Sequence, residues 1–139
     1  MLTINKKGFT LVELMLVVII IGILVAMVVP RLAGRTEQAR SAAAKADIEA
    51  NLGSALDLYE IDNGAYPDSL NALIEKPTSA TNWKGPYVKK RQIPVDPWSH
   101  PYVYKYPGAH GDYDLYSLGK DGAEGGGDDI TNWDETAAK

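Results

Sequence analysis

The sequence of 139 residues contains no cysteine and only two histidines. Without cysteine the chain cannot carry a disulfide scaffold, a thiol nucleophile or a zinc–thiolate site. Basic residues are also in deficit, because 14 Lys and Arg stand against 18 Asp and Glu and give a formal net charge of −4. This balance argues against a general nucleic-acid-binding protein. No nucleophile–base pattern or phosphate-binding loop occurs in the sequence, so we expect no enzymatic activity.

Hydrophobic residues are concentrated near the N-terminus. In residues 9–29 only Thr10, Glu13 and Gly22 interrupt an apolar run. As a helix rising about 1.5 Å per residue, this run is roughly 31 Å long, which is enough to cross the hydrocarbon core of a bilayer. A buried core helix is the alternative, but the rest of the chain is too small and polar to surround one. We therefore predict a single membrane-spanning helix.

Glu13 is the one ionisable residue inside this run. A charged side chain at mid-bilayer costs roughly 2.5–3.5 kcal/mol on insertion scales, and less near the interface. Two interpretations are open: the carboxylate is protonated or reaches the interface, or it pairs with a positive charge from a neighbouring chain. Basic residues flank the run on both sides, so charge alone leaves the orientation open.

The N-terminal residues resemble the processing site of the type IV pilin superfamily, on the segment Lys6-Lys7-Gly8-Phe9-Thr10-Leu11-Val12-Glu13-Leu14. The resemblance implies that a prepilin peptidase cuts after Gly8 and that Phe9 is then N-methylated. It further implies that Glu13 attracts the N-terminal amine of an adjacent subunit during assembly. The leader would be cytoplasmic and the C-terminal domain would lie across the bacterial inner membrane.

The apolar run continues into a polar helix. Pro30 predicts a kink, and Ile48, Leu52, Leu56 and Tyr59 recur at helical spacing to form one apolar face. A turn cluster, Asp62-Asn63-Gly64, should end the helix. This gives four parts: a cleaved leader (1–8), a transmembrane and assembly helix (9–29), an amphipathic half of the same helix (30–61) and a globular domain (62–139).

The globular domain has the pattern of a small antiparallel sheet. Residues 69–74 predict a short helix, and residues 101–106 and 113–118 predict strands joined by a hairpin loop. The second strand should alternate between a buried and an exposed face. We therefore expect an α+β fold of the type IV pilin kind, in which a long N-terminal helix packs on this sheet.

A second motif narrows the resemblance. The segment Asp96-Pro97-Trp98-Ser99-His100-Pro101-Tyr102 is similar to a pattern of major pseudopilins of type II secretion, the protein G family. Ser99 stands where that family usually has glycine, so a serine there is strained if the backbone requires a positive φ. We expect Trp98 and Tyr102 to belong to the core, and both histidines to lie at the surface.

The most informative chemistry is a glycine-rich segment, residues 118–129, here named the acidic loop. It carries four acids, Asp121, Glu124, Asp128 and Asp129, among five glycines. Carboxylates on a permissive backbone suit Ca²⁺, which takes six to eight oxygen ligands, but the pattern is not an EF-hand. By itself it fits a solvated flexible loop as well as a calcium site.

The resemblance to protein G pseudopilins favours calcium. Leu118-Gly119-x-Asp121-Gly122 followed by Asp128-Asp129-Ile130-x-Asn132-Trp133 matches the calcium loop of that family. Carried over, Asp121 and Asp128 are the best side-chain ligands, Leu118 supplies a main-chain carbonyl, and Asp129 is a weaker candidate. Because the chain has no disulfide, a metal would close the C-terminal loop instead.

The resemblance also implies a function. The chain would be the major structural subunit of the periplasmic pseudopilus of type II secretion, a helical homo-oligomer that helps drive folded proteins through the outer-membrane secretin. Minor pseudopilins, the prepilin peptidase and an inner-membrane assembly platform would be its partners. The main alternative is a type IVa-like pilin of a surface fibre for adhesion or motility. A membrane-anchored hydrolase has only the acidic loop in its favour.

Overall fold

The computed structural model describes residues 8–133, without the side chains of residues 31–33. The predicted leader lies outside this range except for Gly8, as do the last residues of the predicted globular domain. Contacts within the chain define two compact units, which divide between Gln38 and Ala39.

The first unit consists mainly of an apolar helix. Helix α1 (Leu11–Ala46) begins here and continues through Pro30. Its apolar side chains are exposed throughout, from Phe9 to Val29. The helical stretch Leu11–Asn63 is long and apolar enough to cross a membrane. The apolar side chains therefore require a hydrophobic environment that the unit itself does not provide.

The second unit contains the end of α1, a π-helical segment (Asp47–Gly53) and helix α2 (Ser54–Asn63). A Cβ at Gly53 would lie 2.8 Å from the carbonyl oxygen of Ile48, so glycine permits the close approach of the backbone in this wider turn. Helix α2 ends at the predicted turn, where Gly64 adopts φ 83° and its N–H bonds the Glu60 carbonyl. The π-helical segment was not predicted.

The sheet is antiparallel with the order β1 (Val103–Lys105), β2 (Asp114–Ser117), β3 (Ile130–Thr131). In the register Tyr104 faces Leu115, and Ser117 faces Ile130. A one-turn 3₁₀ helix (Leu70–Leu73) occupies the predicted short helix. The α+β architecture of a long N-terminal helix and a small antiparallel sheet is confirmed, and β3 adds a strand that we did not predict.

The core of the second unit joins helix and sheet residues. The predicted apolar face of the helix is buried (Ile48, Leu52, Leu56, Tyr59), together with Leu73, Tyr102 and Leu115. Tyr102 is in the core as predicted, whereas Trp98 is only partly buried.

The predicted alternation of β2 is wrong, because all four of its residues are buried. The hairpin loop covers Asp114 through hydrogen bonds from the N–H groups of Ala109 and His110. The ring of Trp133 packs edge-on against Tyr116 on the same strand. The central strand thus has no solvent-exposed face, because the hairpin loop and Trp133 contact it. The periodicity of its sequence does not predict these contacts.

Ser99 adopts φ 72°, in the left-handed region that favours glycine. Ser99→Gly should therefore raise the free energy of unfolding by about 0.5–1 kcal/mol, by relieving strain that outweighs the added entropy of the unfolded chain. Urea denaturation followed by tryptophan fluorescence measures this. Ser79→Gly, at an exposed loop serine without positive φ, should instead be neutral or destabilising. A lower stability for Ser99→Gly would contradict the strain argument.

Candidate functional sites: the helix start and the acidic loop

The start of α1 is closed by a capping box. The Oε2 atom of Glu13 accepts hydrogen bonds from the Thr10 backbone N–H (2.8 Å) and hydroxyl (3.0 Å). The Glu13 N–H in turn donates to the Thr10 hydroxyl (3.2 Å). Two N–H groups that lack helical partners are thus satisfied reciprocally. We did not predict this capping role of Thr10, although its spacing from Glu13 is the Thr-x-x-Glu signature of the cap.

The predicted processing site precedes this cap. Gly8, Phe9 and Thr10 have no helical assignment, and the Phe9 side chain is exposed. Among the described residues, no heavy atom beyond the adjoining residues lies within 4 Å of the position that a Cβ would take at Gly8. The described residues therefore leave space around Gly8. Lys6 and Lys7, the basic residues of the motif, lie outside the described residues.

The acidic loop is organised by carboxylates that bind its own backbone. Asp128 Oδ2 accepts from the N–H groups of Lys120 (2.8 Å) and Asp121 (3.0 Å), and Asp121 Oδ1 accepts from Ala123 (2.9 Å). Asp129 Oδ2 accepts from the Gly125 N–H (2.8 Å). These bonds draw the two ends of the loop together, because they join residues 120–125 to residues 128–129.

The remaining oxygens of Asp121 and Asp128 both lie beside Gly126. A Cβ built at Gly126 would lie 2.5 Å from Asp121 Oδ2 and 3.1 Å from Asp128 Oδ1, so glycine leaves room between the two atoms. Gly126 also has φ 76°, which a larger residue would strain. Asp129 Oδ1 is buried without a hydrogen-bond partner among residues 8–133. An all-oxygen set with one buried carboxylate oxygen unpaired fits a hard divalent cation.

Side chains alone do not complete such a site. Within the described part of the chain, no group of three or more His, Cys, Asp or Glu side chains is arranged to hold a metal ion. Ca²⁺ commonly takes backbone carbonyls as well, and the predicted ligand set relies on the Leu118 carbonyl. The full set of Leu118, Asp121, Asp128 and Asp129 stays a prediction.

The segment at Asp96 supports the beginning of the loop. The buried Asp96 carboxylate accepts a hydrogen bond from the Ser117 hydroxyl, and the same hydroxyl accepts one from the Gly119 N–H (3.1 Å). Asp96 Oδ1 also accepts from the N–H groups of Trp98 and His100. The sequence motif at residues 96–102 therefore joins the end of β2 to the acidic loop.

The prediction that both histidines lie at the surface is confirmed for His110, and both rings contact neighbouring groups. His100 is only partly exposed, and its Nδ1 atom lies 3.1 Å from the Gly119 carbonyl oxygen. His110 is exposed, but its ring stacks on Trp133 with centroids 4.1 Å apart, and its Nδ1 lies 3.1 Å from Asp114 Oδ2. Neither ring is near enough to other acids or histidines to suggest a metal centre among residues 8–133.

Glu124 connects the middle of the loop to the sheet. Its Oε1 atom accepts hydrogen bonds from the ammonium group of Lys105 (2.9 Å) and the hydroxyl of Tyr116 (2.8 Å). The Lys105 ammonium also lies 5.2 Å from the centroid of the Tyr116 ring. The bond from Lys105, followed by that from Tyr116, lowers the pKa of the Glu124 carboxyl. We predicted that Glu124 lies in the acidic loop but assigned it no role.

Two regions of the chain match known sequence families. Residues 4–29 match the prokaryotic N-terminal methylation motif. Residues 31–133 match the profile described as Type II secretion system (T2SS), protein G.

Individual relatives agree. The chain is 52% identical to the type II secretion system core protein G of Pseudomonas aeruginosa, over 94% of this chain and 96% of the relative. It is 48% identical to the protein of that name from Escherichia coli K12, over 93% and 92%. A crystal structure of the major pseudopilin from the type 2 secretion system of enterohaemorrhagic Escherichia coli superposes with a TM-score of 0.64 at 37% identity. It covers 75% of this chain and 95% of that one.

An N-terminal methylation motif on an apolar helix, with a small antiparallel sheet, defines the class of pilin-like proteins. Within that class, the matches over residues 31–133 and over nearly the whole length of the relatives decide the family. The chain belongs to the protein G family of the type II secretion system.

Proposed function

We propose that this chain is the major structural subunit of a periplasmic pseudopilus, which helps drive folded proteins through the outer-membrane secretin. The observation that carries the proposal is the exposed apolar helix with a single carboxylate, Glu13, at its start. Such a helix is stable in a bilayer or when packed against other copies of itself. The bilayer would hold the subunit before assembly, and the helices would pack against one another in the fibre. The chain would catalyse no reaction itself.

We assign the partners and the location by family membership. The chain would cross the inner membrane once, with its second unit in the periplasm, and would assemble as a helical homo-oligomer with minor pseudopilins. The prepilin peptidase would cut after Gly8 and methylate Phe9, and an inner-membrane assembly platform would be a further partner. The acidic net charge gives no basis for a nucleic-acid partner.

Glu13 would exchange partners during assembly. In the single chain its carboxylate is satisfied by Thr10. In the fibre it would attract the amine that cleavage creates at Phe9 of an adjacent subunit. A carboxylate in an apolar environment gains much from a positive partner, because the low dielectric strengthens the attraction and water is excluded.

Gly8→Val should block processing and, with it, assembly, because a branched side chain at the cleavage site obstructs the peptidase. We expect mass spectrometry to show a retained leader, the membrane fraction to contain the full-length chain, and release of exoproteins to fall to the level of a deletion strain. Ala43→Val, at an exposed position of α1 beyond the motif, is the control for added bulk.

The same strains separate the two candidate functions. If the deletion strain secretes normally but loses twitching motility, the chain is a surface pilin subunit and our proposal is wrong. Loss of secretion with intact twitching supports the pseudopilus. The absence of cysteine, the Asp96–Tyr102 motif and the acidic loop already favour the pseudopilus.

We further propose that the acidic loop binds Ca²⁺ through Asp121, Asp128 and the Leu118 carbonyl, with Asp129 as an additional ligand. The space beside Gly126 and the unpaired Asp129 Oδ1 support this assignment. The cation would neutralise the carboxylates of Asp121, Asp128 and Asp129 and would hold the glycine-rich backbone closed. The loop would thereby hold the C-terminal part of the chain against β2.

A further inference from the structure

We propose that Glu124 is a positioning residue for the acidic loop: held by Lys105 and Tyr116, it fixes the middle of the loop on the sheet and thereby raises the calcium affinity. The inference rests on the proposed calcium site. Glu124 is not among the predicted ligands, and its carboxylate is directed instead to two side chains on neighbouring strands.

The three side chains form a single contact. Lys105 ends β1 and pairs with Asp114 of β2, and Tyr116 lies two residues further along β2, opposite Val103. Both donate to the same atom, Glu124 Oε1, and the Lys105 ammonium also lies over the Tyr116 ring. Tyr116 is almost fully buried, so packing restricts the position of its ring. The contact therefore ties the loop to a buried residue of the central strand.

The contact would affect calcium binding because of the position of Glu124 within the acidic loop. It lies between Asp121 and Asp128, and its neighbours are Ala123 and a run of three glycines, residues 125–127. Glycine has the largest backbone entropy to lose on ordering. Fixing Glu124 on the sheet removes part of that entropy before the cation arrives, so less of the binding free energy is lost to ordering the loop.

The competing explanation is that Lys105 and Glu124 form only an exposed salt bridge, which has no effect on the acidic loop. Lys105 and Glu124 are both more than half exposed, and exposed pairs contribute little to stability. The two explanations differ in calcium affinity, because a superficial pair would leave it unchanged. Tyr116 is the decisive residue, since removal of its hydroxyl alters the contact without altering the charge around the loop.

Tyr116→Phe in the full-length chain, in detergent micelles, is the principal test. All three tryptophans lie in the second unit, so their fluorescence can follow a calcium titration there. We expect the dissociation constant to rise about three- to tenfold, as for loss of one hydrogen bond to a charged group. Tyr104→Phe is the matched control, because the hydroxyl of this partly buried residue donates to the Pro67 carbonyl, away from the loop. It should leave the affinity unchanged.

Lys105→Met supplies a test with the opposite electrostatic sign. Loss of a positive charge beside the loop would by itself tighten calcium binding, so weaker binding indicates lost positioning. In EDTA, Tyr116→Phe should melt no lower than Tyr104→Phe, because each variant loses one hydrogen bond from a tyrosine hydroxyl.

Two results would overturn the inference in distinguishable ways. If Tyr116→Phe binds calcium as tightly as the wild type, Glu124 does not position the loop, although the calcium site stands. If the wild type shows no response to calcium, the site itself is wrong and the role of Glu124 fails with it.

Discussion

Removal of calcium is expected to lower the melting temperature of the wild-type chain by roughly 10 °C or more, and Asp128→Asn should abolish this dependence. A ligand at about a hundred times its dissociation constant stabilises a protein by about 2.7 kcal/mol, and each kcal/mol shifts the melting point of a unit this size by about 4–8 °C. Asparagine keeps an oxygen that can accept from the N–H groups of Lys120 and Asp121. The substitution therefore removes mainly the charge that the cation requires.

Thermal melts followed by tryptophan fluorescence, with calcium and then with EDTA, measure this effect. Asp68→Asn makes the same change of charge at an exposed site outside the loop, and it should preserve the full response to calcium. Magnesium at the same concentration should not replace calcium, because it requires stricter octahedral geometry. A wild-type melting curve that EDTA does not move would show that the loop is not a calcium site.

Glu13→Leu should leave membrane insertion and cleavage intact but prevent assembly. Removal of one partner from a buried, hydrogen-bonded charge pair costs roughly 2–5 kcal/mol, which lowers the association constant about 30-fold or more. Mass spectrometry checks cleavage after Gly8, and the yield of sheared fibres checks assembly.

Glu13→Gln separates the two roles of this residue. The amide oxygen can still accept the hydrogen bonds from Thr10, so the capping box persists, but the negative charge is lost. We expect Glu13→Gln to assemble as poorly as Glu13→Leu. If glutamine restores normal fibres, the residue acts through the cap at the start of the helix, and pairing with the amine of Phe9 is refuted.

The sequence predicted those elements whose signal is periodic or local. Steps of four and three residues identified the buried face at Ile48, Leu52, Leu56 and Tyr59, and the cluster at Gly64 marked the helix end. The Ser99 position was also identified from the residue type that its backbone conformation requires. In each case the residues that determine the feature lie within one short segment of the chain.

The missed features depend on contacts between distant segments. Strand β3 has only two residues, too few for a pattern, and exists because it pairs with Ser117 and Tyr116. The burial of Asp96 against Ser117 joins residues 21 positions apart. The contact of Glu124 with Lys105 likewise crosses 19 positions. Only the fold brings such residues together, whereas the Thr10 cap was a local signal that we overlooked.

The two edges of the sheet affect aggregation, which matters for a protein proposed to accumulate in many copies. Both outer strands are very short, and beyond β3 the Asn132 side chain takes the place of backbone by accepting from the Leu115 N–H and donating to the Tyr113 carbonyl. Unpaired strand edges are templates for aggregation by strand addition. Such brief edges offer few free backbone groups to another molecule, so self-association is directed away from amyloid-like pairing.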